Sequence, residues 1–141
     1  MSIKTLRYLF LLVILLGLAD SLYLAITTFL DISPVCGPAH GCDVVQTSSY
    51  SRVLGIPFSY LAVVYYVAGA IIGPSLETSA FMSKAAVVFG ALGVVVGVWS
   101  VYLQVFVIHA FCLYCSALDV FALVLFSIAT VLAQRFRQRE F

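Results

Sequence analysis

An apolar tract that is too long for a single membrane crossing extends from residue 85 to residue 133 with few interruptions. A helix rises about 1.5 Å per residue and the hydrocarbon core of a bilayer is ~30 Å thick, so this tract is roughly twice as long as one span. The chain must therefore reverse direction within it. The polar residues nearest its middle are Gln104 and His109, which predicts a turn close to residues 109–111.

The composition indicates an integral membrane protein. Of the 141 residues, 64% are hydrophobic and 9% are charged, whereas about a quarter of the residues in a soluble domain are charged. The net charge of +1 gives no indication of nucleic-acid binding. We predict an all-α fold, a single domain over residues 1–141 that forms a four-transmembrane-helix bundle. The predicted spans are residues 6–30, 56–72, 84–108 and 112–133.

The polar segment between the first two spans, residues 31–55, is predicted to be the one long outer loop. Within it, residues 43–53 lack proline and glycine and predict a short amphipathic helix at the membrane interface. The first span is predicted to be retained and not cleaved as a signal peptide, because its apolar stretch continues to Leu30 and Asp20-Ser21 is a poor cleavage site.

Basic residues predict the orientation. In a four-span topology nearly all of them fall on one side of the membrane, and the other side has only Arg52, which Asp31 and Asp43 balance. By the positive-inside rule, both termini are cytoplasmic and the protein is a multi-pass component of the inner (cell) membrane. The residues on the basic side are Lys4, Arg7, Lys84, Arg135, Arg137 and Arg139.

The four cysteines form two pairs that this orientation puts on the same, outer side. Cys112 and Cys115 have the i, i+3 spacing of one helical face at the start of the fourth span, where the helix N-terminus favours a thiolate. Cys36 and Cys42 lie in the outer loop, separated by residues that favour turns. In a bacterium this compartment is oxidising. The arrangement predicts an electron relay by thiol–disulfide exchange.

Other interpretations of the cysteines remain open at this point. Cys36 and Cys42 are also compatible with a structural disulfide that pins the loop. The four cysteines together are compatible with a zinc site, in which His40 or His109 could substitute for a thiol. A thiol-based heavy-metal transporter also uses cysteine pairs on a few spans. A DsbB-type quinone reductase has two pairs as well, but in the reverse order along its chain.

Several motifs, taken in their order and spacing, are shared with one family. They are Gly17-Leu-Ala-Asp20-Ser21-Leu-Tyr23-Leu24, Cys36-x₅-Cys42 with Asp43, Val45, Ser48 and Tyr50, Gly55-Ile56-Pro57, Tyr66, and Phe111-Cys112-Leu113-Tyr114-Cys115. The chain in this respect resembles the vitamin K epoxide reductase (VKOR) family, in its short bacterial form without a fused thioredoxin-like domain.

The resemblance implies a four-helix bundle around a quinone of the menaquinone, ubiquinone or vitamin K type. It implies that Cys115 reduces the quinone through a transient adduct and that Cys112 exchanges with Cys42. Cys36 would complete the loop pair and take electrons from a periplasmic thioredoxin-like oxidase of the DsbA kind. The net reaction would be disulfide formation coupled to quinone reduction. Epoxide reduction is not implied for a bacterial-type chain.

Four further side chains are candidate contacts of the quinone. Ser48 matches a loop serine or threonine that the family has near the quinone headgroup. Asp119, one turn beyond Cys115, is an intramembrane carboxylate and thus a candidate proton donor. Tyr66 and Tyr114 are candidates for the walls of a flat aromatic slot. No resident metal is predicted, and Asp20 and His109 are equally compatible with packing roles.

Overall fold

The computed structural model describes residues 1–36 and 41–140, and within them the fold is all-α apart from one small hairpin. Four helices are long and apolar enough to cross a membrane. This confirms the predicted all-α fold with four membrane-spanning helices. The helices in chain order are α1 (Ile3–Phe29), the short α2 (Gly41–Thr47), α3 (Phe58–Ile72), α4 (Ala80–Tyr102) and α5 (Leu113–Glu140).

Polar side chains set the ends of two of the long helices. Ser2 caps α1, because its hydroxyl accepts the backbone N–H of Thr5 at 3.2 Å, and Ser79 caps α4 in the same way through Met82 at 3.3 Å. These hydroxyls satisfy N–H groups that have no partner within the first turn of a helix. After α3, the Gly73–Ser75 segment forms a short 3₁₀ turn that leads into α4.

The bundle is built around α5, which packs along α4 and α1, while α1 also packs along α3. Buried apolar side chains of α1 and α5 form the centre of the core. A Cβ at Gly90 would come within 2.7 Å of the Phe126 backbone, so glycine permits the close contact of α4 with α5. The helices α3 and α4 touch at few points. A gap is therefore left between them.

The reversal between α4 and α5 is tight. After Tyr102 the helix widens into a π-helix over Leu103–Ile108, and His109 then adopts a left-handed conformation with φ 57°. The turn lies where Gln104 and His109 predicted it. This turn divides the long apolar tract into two antiparallel helices, and the second of them begins directly after Cys112.

The loop between α1 and α3 is more structured than the sequence indicated. The short helix is present but covers Gly41–Thr47, and residues 49–53 continue as a 3₁₀ turn and a strand. The hydroxyl of Ser51 donates to the carbonyls of Gln46 and Ser48, which gives the carbonyls at the end of α2 partners and allows the chain to leave the helix. Strand β1 (Arg52–Val53) then pairs antiparallel with β2 (Ile56–Pro57).

The two ends of the bundle differ in chemistry. At one end the start of α1 meets the connection between α3 and α4, where Arg7 forms an ion pair with Glu77 at 3.0 Å. The guanidinium of Arg135, near the end of α5, contacts the Met1 carbonyl at the same end. The opposite end carries α2, the hairpin and the start of α5. Both cysteine pairs are at this second end.

Candidate redox site

Cys112 caps helix α5. It directly precedes the first helical residue, its carbonyl accepts the N–H of Ser116 at 3.0 Å, and its sulfur accepts the N–H of Cys115 at 3.2 Å. These are the two hydrogen bonds that an N-cap residue makes, here with sulfur in place of a side-chain oxygen. The same geometry holds the sulfurs of Cys112 and Cys115 2.6 Å apart. The pair is therefore poised to form a disulfide.

The environment of Cys112 favours its thiolate. A hydrogen bond from the Cys115 thiol lowers the pKa of Cys112 below the ordinary value, burial acts in the opposite direction, and the backbone N–H of Cys115 lowers the pKa further. The start of a helix also carries partial positive charge. Because a thiol with a low pKa is also a better leaving group, Cys112 is suited to exchange with the neighbouring loop pair.

Gln104 is a buried residue that organises the turn before Cys112. Its side-chain Oε1 accepts the N–H of Cys112 at 2.8 Å, and its backbone carbonyl accepts the N–H of Ala110 at 3.1 Å. Its Nε2 donates to the hydroxyl of Ser100 at 3.2 Å. One side chain therefore satisfies the backbone at the redox motif, where an unpaired buried N–H would destabilise the fold. In the sequence, Gln104 indicated only the turn.

The loop pair lies against the inner pair. Cys36 and Cys42 are joined by a disulfide with Cα atoms 5.9 Å apart. Cys42 and Cys112 are fully buried in one small cluster with Val45, and Cys36 is partly exposed at its edge. The close approach depends on Gly41, since a Cβ there would overlap the carbonyl oxygen of Phe111. The structure thus brings the four cysteines together at one end of the bundle.

Gln46 is a residue of this site that the sequence analysis did not identify. It lies on α2, one turn after Cys42, and its Nε2 donates to the sulfur of Cys115 at 3.2 Å. Its position one turn from Cys42 was the available signal, because residues four apart share a helical face. The short helix therefore presents a sulfur to Cys112 and an amide donor to Cys115.

A cavity of about 470 Å³ begins at Cys115 and continues between α3, α4 and α5. Its volume lies within the range of roughly 300–1,000 Å³ that is usual for small-molecule sites. The walls are mainly apolar and aromatic, and the polar groups are few. Residues that define it include Gln46, Tyr65, Tyr66, Phe89, Cys115 and Asp119.

Two of the predicted quinone contacts line this cavity. The ring of Tyr66 is part of the wall, and its buried hydroxyl donates to the carbonyl of Leu118 at 3.0 Å. Asp119 lies on the wall one turn beyond Cys115, and its Oδ2 is buried without a hydrogen-bond partner among the described residues. An unpaired buried carboxylate oxygen beside an open space is the atom that a ligand or a proton would satisfy.

The other two predicted contacts lie elsewhere. Ser48 donates its hydroxyl to the carbonyl of Val45 at 2.8 Å, at the end of α2. Tyr114 donates to the carbonyl of Val35 at 2.5 Å, and its ring borders a second, more open cleft that also contains Asp20. Within the described part of the chain, neither belongs to the lining of the cavity beside Cys115. Their contact with a quinone stays a prediction.

The structure places neither of the two histidines of the sequence in the cluster of sulfurs. His109 is exposed in the turn between α4 and α5, and His40 lies outside the described residues. Within residues 1–36 and 41–140, no three side chains of the His, Cys, Asp or Glu type are grouped as metal ligands would be.

Comparison with known proteins agrees with this architecture. The family model described as the vitamin K epoxide reductase family matches residues 8–130, which is most of the chain and contains all four cysteines. A search of curated proteins found no match. The family is one of membrane oxidoreductases that are generally linked to quinones. With four apolar helices, a loop disulfide and a Cys-x-x-Cys pair in the expected order, this chain belongs to the vitamin K epoxide reductase family.

Proposed function

We propose that this protein is a membrane thiol–quinone oxidoreductase that promotes disulfide-bond formation. In this proposal a thioredoxin-fold oxidase of the DsbA kind delivers electrons to Cys36 and Cys42, which pass them to Cys112 and Cys115 and on to a membrane quinone. The observation that carries the proposal is the position of the Cys112–Cys115 pair. It lies between the loop disulfide on one side and an apolar cavity on the other.

The burial of the sulfurs supports an order of exchange. Cys36 is partly exposed, whereas Cys42 and Cys112 are fully buried and share one cluster. An external dithiol can reach Cys36 first, and its attack reduces the Cys36–Cys42 disulfide. The thiolate of Cys42 then attacks Cys112 of the inner disulfide, and Cys115 leaves as a thiolate. Attack of Cys36 on Cys42 releases Cys112 and restores the loop disulfide, which leaves both electrons on the inner pair.

The residues of the cavity fit a quinone. The cavity has flat aromatic walls at Tyr65, Tyr66 and Phe89, a sulfur at one end and an unpaired carboxylate oxygen at Asp119. When bound, a quinone of the menaquinone, ubiquinone or vitamin K type supplies an acceptor for two electrons and two protons. Oxidation of the Cys112 and Cys115 thiols to a disulfide releases two electrons and two protons. Asp119 is suited to hold a proton at Oδ2, and Gln46 to donate a hydrogen bond to the Cys115 sulfur.

The walls of the cavity also support entry of the acceptor from the lipid. Side chains on its rim are exposed on the outer surface of α3 and α4, at heights that a bilayer would cover, and among them are Val64, Leu92 and Val96. Because α3 and α4 touch at few points, the gap between them can admit a molecule that is dissolved in the membrane. An aqueous dithiol would approach from the end of the bundle instead.

The orientation in the membrane belongs to the same proposal. The end of the bundle that carries Arg7, Lys84 and Arg135 would be cytoplasmic, with both termini, in the inner membrane. The cysteines would then face the periplasm, where a thioredoxin-fold partner operates. We further propose that residues 1–141 act as one domain, with the loop over residues 31–55 as its outer cap.

The proposal is tested by turnover of purified protein in lipid nanodiscs. A reduced thioredoxin-fold oxidase and a short-chain ubiquinone or menaquinone are added, and quinone absorbance and partner thiols are followed together. We expect one quinone to be consumed for each disulfide formed in the partner. Changing Cys112 or Cys115 to Ser should abolish both signals. Oxidation of the partner at an unchanged rate in these variants, or the absence of any dependence on quinone, would contradict the proposal.

A further inference from the structure

Two tyrosine hydroxyl groups bind the same residue from both sides, directly before Cys36. The N–H of Val35 donates to the hydroxyl of Tyr23 at 2.9 Å, and the hydroxyl of Tyr114 donates to the carbonyl of Val35 at 2.5 Å. The two rings are neighbours, with centroids 5.1 Å apart. We refer to Tyr23 and Tyr114 together as the tyrosine clip.

The clip joins the loop to the helix that carries the inner cysteines. Tyr114 lies in the first turn of α5, between Cys112 and Cys115, and Tyr23 lies on α1 near its end. The segment that the clip binds has no regular secondary structure, and Val35 itself is 76% exposed. Hydrogen bonds and not side-chain packing therefore hold Val35 in place.

Among the described residues, one further side-chain hydrogen bond joins this segment to another element. The hydroxyl of Ser33 donates to a carboxylate oxygen of Asp43 on α2 at 3.0 Å, and both residues are exposed. The disulfide to Cys42 and the packing of Cys36 at the edge of the buried cysteine cluster are its other ties to the bundle. When that disulfide is reduced, the clip and the Ser33 hydrogen bond help to keep Cys36 near its partner.

The position of Cys36 relative to Cys42 matters in one step of the relay. After Cys42 has attacked Cys112, the two sulfurs form a mixed disulfide and Cys36 is a free thiol. Cys36 must lose its proton to water and attack the sulfur of Cys42, so that the Cys36–Cys42 bond forms, the Cys42–Cys112 bond breaks and Cys112 leaves as a thiolate. No net electrons enter or leave the protein in this step. Its rate depends on how often Cys36 lies beside Cys42.

We propose that Tyr23 and Tyr114 are positioning residues that hold Cys36 beside Cys42, so that Cys36 resolves the Cys42–Cys112 mixed disulfide. This inference rests on the proposed function. The clip acts on the backbone of Val35, so the hydroxyl groups and not the rings carry the effect. Replacement of each tyrosine by phenylalanine removes one hydrogen bond and retains the aromatic contact.

The experiment uses the full chain in nanodiscs and needs no protein partner. All four cysteines are reduced, a water-soluble ubiquinone analogue is added, and samples are quenched with acid and alkylated at successive times. Non-reducing peptide mapping by mass spectrometry then gives the fraction of chains that carry the Cys42–Cys112 disulfide. We expect this species to decay about two- to tenfold more slowly in Tyr23→Phe and in Tyr114→Phe, and more slowly still in the double variant.

Two controls separate the clip from a general effect on the fold. Tyr8→Phe removes an exposed hydroxyl from the other end of α1 and should decay like the unmodified chain. In a chain with Cys36→Ser and Cys42→Ser, the quinone should oxidise the inner pair at the same rate with and without Tyr23→Phe; Tyr114 is left unchanged in this control because its contact with a quinone stays a prediction. Decay of the mixed disulfide at the unmodified rate in the double variant would overturn the inference. So would an equal slowing of the inner-pair oxidation.

Failure of the proposed function gives a different result. In that case the unmodified chain would show no oxidation of its inner pair by the quinone and no mixed disulfide at any time. If the unmodified chain passes through the mixed disulfide and the clip variants match it, the relay stands and only the role of the tyrosines is excluded.

Discussion

At the scale of single residues, the two inner sulfurs have different hydrogen-bond donors. Cys112 accepts a backbone N–H from its own helix, while Cys115 accepts the side-chain amide of Gln46 from the loop. The donor of Cys112 is fixed by the start of α5, but the donor of Cys115 is present only while α2 is docked. The loop can therefore influence Cys115 through a hydrogen bond, without a covalent bond to it.

Replacement of Gln46 by Leu should slow the oxidation of the inner pair by quinone about tenfold. A hydrogen bond to a charged group contributes about 1.5–3 kcal/mol, and the partly exposed position of Gln46 favours the lower end of that range. The measurement is the single-turnover rate of quinone reduction by a chain whose inner pair is reduced and whose loop disulfide is intact, so that α2 stays docked. Thr47→Val, on the exposed side of the same helix, is the matched control. An unchanged rate in Gln46→Leu would exclude the amide from the reaction.

A second residue-scale prediction concerns the pH dependence of Cys112. Since its pKa is lowered, with the Cys115 thiol as the largest cause, Cys112 should remain a thiolate below the ordinary thiol pKa of about 8.5 and lose reactivity only as the pH falls further. The rate of alkylation by iodoacetamide, followed against pH in a reduced chain without the loop cysteines, reports this. Cys115→Ala should move the midpoint upward. A midpoint that stays in place would show that Cys115 is not the cause.

At the scale of elements, α2 is too short to be stable alone. A helix of seven residues is well below the length at which isolated helices persist in water. Its place depends on the Cys36–Cys42 disulfide and on the contact of Gly41 with the backbone of Phe111. Because this helix carries both Cys42 and Gln46, its docking is what brings the loop pair against Cys112 and Cys115.

Gly41→Ala should uncouple the two pairs. The added methyl group would overlap the carbonyl of Phe111, and since that atom belongs to the backbone, α2 must shift away from Cys112. We expect electron transfer from the loop pair to the inner pair to fall tenfold or more, as about 1 Å of misplacement can cost on the order of a hundredfold. Partner-driven turnover measures this transfer.

The control for Gly41→Ala is Val44→Ala, on the exposed side of α2. Oxidation of the inner pair by quinone is measured in parallel, in Gly41→Ala and Val44→Ala chains that also lack the loop cysteines. Turnover of Gly41→Ala at the unmodified rate would mean that the close approach of α2 to Phe111 is not required for exchange.

At the scale of the whole molecule, the bundle separates two kinds of access. The exposed side chains of the long helices are largely apolar, as a lipid environment requires, and the basic residues other than Arg52 collect at the end opposite the cysteines. The cavity opens sideways between α3 and α4, while the loop disulfide lies at the end. A water-soluble dithiol and a lipid-soluble acceptor would thus reach the same four sulfurs from different directions.

The asymmetric distribution of basic residues between the two ends predicts the topology in the membrane. In intact bacterial cells or spheroplasts treated with a mild reductant, a membrane-impermeant maleimide should label Cys36 from outside the cytoplasm. A single cysteine placed at Gln138, near the end of α5, should be labelled only after the membrane is permeabilised. Labelling of both sites from the same side would contradict the four-span topology, and the reverse pattern would contradict the proposed orientation.

The sequence by itself determined the four apolar helices, the reversal near His109 and the two cysteine pairs with their family. These features follow from length, hydropathy and local spacing, which a linear pattern records. The helices are apolar on nearly all faces, so hydropathy does not indicate which face of a span meets a neighbour and which meets lipid. Packing therefore decided where the cavity lies. It also decided that an oxygen of Asp119 is left unpaired and that Tyr114 does not line the cavity.

The contacts of Gln46 with Cys115 and of the two tyrosines with Val35 were decided in the same way. They join residues that are separated in the chain, and the contact of Gln46 comes with the close approach of Gly41 to the backbone of Phe111. Spacing could put Cys112 and Cys115 on one helical face because that relation is local. Only the tertiary structure could bring the loop to them, because shape complementarity between helices, and not the pattern of apolar residues, sets which side chains meet.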